Sequence, residues 1–303
     1  MNIQELQQAY ERGEPLVPDS VYDQLNTDNE PIGPSGTTKH FQRMYSLKKV
    51  YNMDKAPIPA NKCVKTPKLD GVAVGLCYVY GRFYRAVTRG DGEYGIDVTK
   101  TVRHLVPEEL AVRDLAVLQV TGEIVCKDKE LANARNIAAG AINLKSDAEF
   151  QQRVKEHTIQ FIPYDCNLFP GNDWQQGMLD LFPVSVLTID EKEYPTDGYV
   201  FRLSDLNECS KLGYTHKEPK WAFAFKEKGE QKQTVVRAVN WQLGKGGKVT
   251  PVVEFDTVVI DGADIRRATL HNAKYVEDIE LNIGDTIIVE RSGGIIPHVV
   301  AKV

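Results

Sequence analysis

No stretch of this chain approaches the run of about 20 apolar residues that a bilayer-spanning helix requires. The opening "MNIQELQQAYERGE" also lacks the basic stretch and apolar core of a secretion signal, so a cytoplasmic protein is expected. Positive charge is in short supply: 37 Lys and Arg stand against 42 Asp and Glu, for a formal net charge of −5. That balance excludes a coat-like binder that holds nucleic acid by overall charge, and any such contact has to come from local patches. Cysteine is sparse, with Cys63, Cys77, Cys126, Cys166 and Cys209 odd in number and never spaced as C-x-x-C. A disulfide framework and a zinc module are therefore not expected, and the thiols read as free groups in a reducing compartment. The six histidines are scattered, without metal-ligand spacing.

What is present is a chain of 303 residues, 42% hydrophobic, enough to bury a core in each of two domains. Residues 1–12 read as a helix from the spacing of Ile3, Leu6 and Tyr10, and "GEPLVPDS" ends it. A short helix over 19–25 sets Asp19, Tyr22 and Asp23 on one face, a pattern also met in a plain helical hairpin capped by Asp19. "NEPIGPSGTT" reads as a linker. From residue 56, strand-like runs such as "VAVGLCYVY", "RFYRAVT" and "VLQVTGEIV" alternate with helices expected near 128–143, 147–156 and 174–181, which predicts an α+β domain on mixed or antiparallel sheets. After "WAFAFKEKGE" the helices are expected to stop, leaving short strands and Gly-rich turns that predict a small all-β barrel.

In "PKLDG", Lys68 and Asp70 are two apart, so in an extended segment both side chains share a face, and Gly71 lets the backbone turn. A lysine attacks only as the free amine and needs cations around the group it attacks. The pattern alone does not separate such a nucleophile from a solvated Lys–Asp turn.

Downstream come "TRGDGEYGID", "TGEIV", "ANARNIAAGAINL", "TDGYVFR" and "WAFAFK", then "LGKGGKVTPVVEF" and "ATLHNAKYVEDIELNIGDTIIVERSGGIIPHVV"; upstream are "PDSVYDQL" and "HFQRMYSLKKVYN". In this order the segments resemble the nucleotidyltransferase superfamily, and within it the NAD-dependent DNA ligases of bacteria. The resemblance implies a helical segment over 1–55 that binds nicotinamide mononucleotide (NMN), an α+β nucleotidyltransferase (adenylation) domain over 56–229 and an OB-fold barrel over 230–303.

By the same resemblance, Lys68 attacks the α-phosphate of NAD, NMN leaves, and the AMP is carried to the 5′-phosphate of a DNA nick that the 3′-hydroxyl then seals. Ser46, Leu47, Thr66, Asp70, Arg89, Glu123, Tyr164, Asp197, Arg202 and Lys226 would bind the NAD or AMP. Tyr10, Asp19, Tyr22 and Asp23 would hold the NMN half, and Arg135 phosphate or DNA backbone. Mg²⁺ is implied beside Glu123 and Asp197, with no zinc site. Nicked double-stranded DNA is the implied partner.

The chain departs from the family at Thr66, where a base-reading glutamate is usual, at Arg202 in place of a lysine, and at Asn143 in place of an arginine. It also stops at Val303, before the zinc, helix-hairpin-helix and BRCT modules of the family. That predicts a minimal or split ligase, as in some large bacteriophages, with a second subunit carrying those modules. Two other readings stay open: an ATP- or GTP-using RNA ligase or capping-type transferase, and a non-catalytic nucleic-acid-binding module built on the barrel.

Overall fold

The computed structural model describes residues 5, 6, 8, 9, 12, 16–18, 21, 22, 38–127, 133–169, 171–226, 230–243, 249–260, 263–292 and 296–303. Most of the expected N-terminal helices and the linker lie outside these residues; within them, Glu5, Leu6, Gln8, Ala9, Val21 and Tyr22 are helical. The chain divides into two compact units, Met1–Lys226 and Glu227–Val303.

The first unit contains the strands β1 (Thr38–Lys39), β2 (Lys48–Val50), β3 (Cys63–Leu69), β4 (Val72–Val79), β5 (Arg82–Thr88), β6 (Tyr94–Gly95), β7 (Val117–Cys126), β8 (Ile159–Cys166), β9 (Thr196–Leu203) and β10 (Ala222–Phe225). One sheet has the order β5-β4-β7-β8 and a second the order β2-β10-β9-β3, while β1 pairs with β6. The first sheet is antiparallel throughout. The second is mixed, because β10 runs parallel to β2.

Strand β4 reads as an almost continuous apolar run because both faces of its sheet are covered. Val74, Leu76 and Tyr78 point into the main core with Ile124, Ala138, Phe150 and Ile162. Cys77 and Val79, on the alternate face, meet Leu6, Val17 and Tyr22. Full burial of a side chain of this size contributes about 1.5–3 kcal/mol, so the described N-terminal residues are held by the sheet rather than by helix propensity. Helices Ala134–Ile142, Asp147–His157 and Trp174–Leu181 stand within the ranges expected or one residue longer, the second capped by Ser146, whose hydroxyl accepts from Glu149 N.

Two backbone irregularities shape the cavity between the sheets. Between β3 and β9 the register runs Thr66↔Val200 and Pro67↔Tyr199, then jumps to Leu69↔Thr196, so β9 carries the extra residue of a bulge around Asp197 and Gly198. Gly198 has φ +133°, and a Cβ there would lie 2.2 Å from the carbonyl oxygen of Phe225, so only glycine fits. Gly71 brings the end of "PKLDG" against β7, where a Cβ would lie 2.2 Å from the carbonyl oxygen of Ile124.

The second unit is a closed barrel of β11 (Gln231–Leu243), β12 (Val249–Ile260), β13 (Ala263–Thr269), β14 (Thr286–Ser292) and β15 (Ile296–Lys302), in the order β11-β12-β13-β15-β14. Val236, Val253, Ile287, Val289 and Val299 fill its interior. The expectation that helices stop after "WAFAFKEKGE" is corrected here: Ala273–Asp278 is a helix, started by Asn272, whose side chain accepts from Tyr275 N. At 6 residues it is too short to show a helical period in the sequence, and it forms because Tyr275 and Val276 pack on the barrel core.

Candidate active site

The first unit encloses a cavity of about 930 Å³ lined from both of its four-stranded sheets. Ser46, Leu47, Thr66, Lys68, Asp70, Arg89, Glu123, Arg135, Tyr164, Arg202 and Lys226 all line it. Residues spread over 180 positions of sequence are thus brought to one wall system, as the motif order required. Tyr10, Asp19 and Asp23 lie outside the described residues, whereas Tyr22 is buried against Leu6, Val17 and Cys77, on the face of the first sheet that also carries Ala73, Gln119 and Glu123.

At one end the β9 bulge turns Asp197 toward two lysines. Its Oδ1 lies 2.8 Å from Lys68 Nζ and its Oδ2 accepts from Lys226 Nζ at 2.6 Å. Burial pushes the Asp197 carboxyl up, but Lys68 and Lys226 outweigh that and leave it below the ordinary carboxylate value. Asp197 thereby stays ionised and fixes two ammonium groups side by side. Of the two carboxylates expected to face a metal, Glu123 lines the cavity, whereas Asp197 gives both oxygens to lysines and does not.

Two further carboxylates share this end. Asp70 pairs with Arg135 at 3.3 Å and is pushed up by burial and then by the charge of Asp197, against the pull of Arg135 and the lysines. Glu123, opposite Ala73 in the β4–β7 ladder, is pushed up to about 7 by burial, although Lys68, Arg135, a hydrogen bond from Gly71 N and Arg89 all act the other way. Among the described residues no cluster of three or more His, Cys, Asp or Glu could hold a metal ion. A divalent cation on Glu123 would therefore complete its coordination with phosphate oxygens and water, the usual habit of Mg²⁺. Glu123 fits that role, because a carboxylate this poorly solvated gains most from a cation.

This position sets a pH test. A carboxyl raised from 4.5 to about 7 favours its protonated form in the fold, so the unliganded protein loses stability as pH rises through that window, by about 3 kcal/mol in all. Thermal unfolding of wild type and Glu123→Gln across the same window checks it: the wild type should lose stability relative to the variant, and parallel curves would contradict the burial argument.

At the other end of the cavity, Arg202 stands among groups that the motifs did not single out. Arg202 is 7% exposed and its guanidinium lies 4.5 Å from the ring centres of both Trp174 and Trp221. Its Nη1 pairs with Asp165 Oδ1 at 2.8 Å. Trp221 meets Tyr214 edge-on, Tyr214 stacks on Tyr45 with centroids 4.3 Å apart, and Arg43 caps Tyr45. Tyr164, one residue before Asp165, has its hydroxyl pushed far up by burial and then by Glu123, so it stays a neutral phenol. Asp165 and Arg202 are 37 positions apart on β8 and β9, in different sheets, so no local pattern announces the pair.

A lysine held against a carboxylate and a second lysine, in a nucleotide-sized cavity, with a closed five-stranded barrel following in the chain, defines the class: an adenylation domain followed by an OB-fold domain. Residues 35–182 and 173–230 match the adenylation domain of NAD-dependent DNA ligases, and residues 233–303 match the OB-fold domain of the same enzymes. The chain belongs to the NAD-dependent DNA ligase family. It is 32% identical to DNA ligase 1 of Nocardia farcinica, over 98% of this chain and 53% of that protein. It is 29% identical to a DNA ligase of Coxiella burnetii, over 97% of this chain and 55% of that one. The chain thus spans about half the length of the curated relatives it matches. A solved Lig E DNA ligase has the same fold, at 12% identity and a TM-score of 0.50, covering 86% of this chain and all of that one.

Proposed function

We propose that this chain is a DNA ligase that adenylates itself from NAD. Lys68 Nζ attacks the α-phosphorus, the bond to the NMN phosphate oxygen breaks, and AMP stays on Nζ as a phosphoramide once the amine proton is lost. The AMP then passes to the 5′-phosphate of a nick in double-stranded DNA, and the 3′-hydroxyl displaces it to join the strand. The observation that carries this reading is the Lys68–Asp197–Lys226 triad at one end of the cavity. Lys226 would neutralise the α-phosphate while Lys68 attacks it, the charge stabilisation that phosphoryl transfer chiefly needs.

In this proposal Arg89 holds the nucleotide and Arg135 the phosphate or DNA backbone. Ser46, Leu47, Thr66, Tyr164 and Arg202 line the base and sugar end. Glu123 would hold Mg²⁺, which when bound spreads the charge of the phosphate oxygens. Residues 1–55 are proposed to grip the NMN half, through Tyr10, Asp19, Tyr22 and Asp23, on the strength of their match to the family. Residues 56–229 form the adenylating part and 230–303 the barrel that contacts DNA. A second subunit with further DNA-binding modules remains part of the proposal, as does a cytoplasmic setting; no helix among the described residues is long and apolar enough to cross a membrane.

Incubation with Mg²⁺ and either NAD or ATP, followed by intact-mass measurement, tests the reading. An AMP adduct from NAD alone is expected. An adduct from ATP would favour an RNA-ligase or capping-type enzyme, and no adduct from either would leave a nucleic-acid-binding module.

A further inference from the structure

The Asp165–Arg202 pair is more elaborate than a structural ion pair needs. Arg202 is more than nine-tenths buried and paired with Asp165, yet its Nε has no hydrogen-bond partner. That Nε is sealed from solvent, so a ligand in the cavity would meet Arg202 through its Nη atoms. Asp165 accepts from Arg202 and from Cys166 N through Oδ1 alone, which leaves Oδ2 without a hydrogen-bond partner among the described residues. Its side chain keeps 30% exposure and lines the cavity. Both tryptophan rings lie against the guanidinium, so the pair is held before any ligand arrives.

The neighbouring wall is flat and small. Ala224, Val200 and Thr66 stand side by side across β10, β9 and β3, on the same face of β9 as Arg202, and all line the cavity. A planar ring can lie on that row with its edge toward Asp165 and Arg202. A carboxylate acceptor beside a guanidinium donor matches the edge of adenine, whose exocyclic amine donates and whose N1 accepts. Thr66 itself brings no carboxylate to this edge.

We propose that Asp165, held by Arg202, reads the base of the transferred nucleotide: the Asp165 carboxylate accepts from the 6-amino group and the Arg202 guanidinium donates to N1. Asp165 is thus a specificity-determining residue, in an inference that rests on the adenylation reading above.

The test compares NAD with nicotinamide hypoxanthine dinucleotide, in which a carbonyl replaces the amine and N1 carries a proton. Both edge groups are then reversed, acceptor against carboxylate and donor against guanidinium. Single-turnover adduct formation, at equal subsaturating concentrations, is expected to favour NAD by about tenfold or more in the wild type. Asp165→Asn, whose amide both donates and accepts, should bring the ratio to within about threefold. Because the ratio is taken on one sample, partial misfolding of the variant cancels. A wild type that uses both dinucleotides equally, or an Asn variant that keeps the wild-type ratio, overturns the inference while leaving the ligase reading intact. No adduct from either dinucleotide in the wild type overturns the ligase reading and this inference with it.

Discussion

Replacing Lys68 with alanine is expected to abolish the AMP adduct, with no mass gain detectable after prolonged incubation with NAD and Mg²⁺. The neighbouring cations do not substitute for it: Lys226 is tied to the far oxygen of Asp197, and Arg89 and Arg135 offer a delocalised guanidinium rather than an amine. Lys68→Arg separates chemistry from structure. It keeps a cation for Asp197 Oδ1 but no nucleophilic amine, so it should fold as the wild type and still form no adduct. An adduct that persists in either variant would assign the nucleophile elsewhere. Loss in the alanine variant alone would reduce Lys68 to an electrostatic role.

The second large effect is expected at Asp197. Asp197→Asn leaves Lys68 and Lys226 facing one neutral amide, with two ammonium groups that had been 2.8 and 2.6 Å from a shared carboxylate. Breaking a buried ion pair by removing one partner costs about 3–5 kcal/mol, and the partial exposure of Lys68, at 28%, moves the expected loss toward the lower figure. In a domain of this size each kcal/mol shifts Tm by about 2–4 °C, so a fall of several degrees should be visible in thermal unfolding.

Adenylation should fall further, by about 10²-fold or more, because both cations lose the anchor that orients them on the α-phosphate. The pH dependence has a definite sign. The folded-state pKa of Asp197 is depressed, so its contribution is present above the ordinary value of 3.8 and is lost as pH falls through the lowered one. The stability gap between wild type and variant should therefore close in strong acid and stay open at neutral pH. An Asn variant with wild-type Tm and adduct rate at neutral pH would remove Asp197 from the site.

Glu123 and Asp197 show why a carboxylate's role cannot be read from its motif. In sequence both are acids in short strand-like strings, and both were expected near a metal. Asp197 is opposed by two lysines and held ionised, while Glu123 is desolvated and pushed up to about 7. The difference comes from the β9 bulge, which turns one acid toward the ends of β3 and β10, and from the β7 ladder, which buries the other.

The sequence by itself determined that an all-β barrel follows an α+β unit, and it singled out Lys68 and the cations and acids that could serve it as candidates, because each sits in a short motif of residue types that the proposed chemistry demands. It also determined the main helices, through caps and apolar spacing that act over a few residues. The tertiary structure alone decided the rest. Which oxygen faces which amine depends on a register jump between strands more than 100 positions apart. The short barrel helix exists through its packing rather than its own period. The Asp165–Arg202 pair, with Trp174 and Trp221 against the guanidinium, is assembled from residues that are distant in the chain, so only burial and contact reveal it. Local motifs name the atoms that react, but long-range packing sets the distances and the dielectric in which they do so.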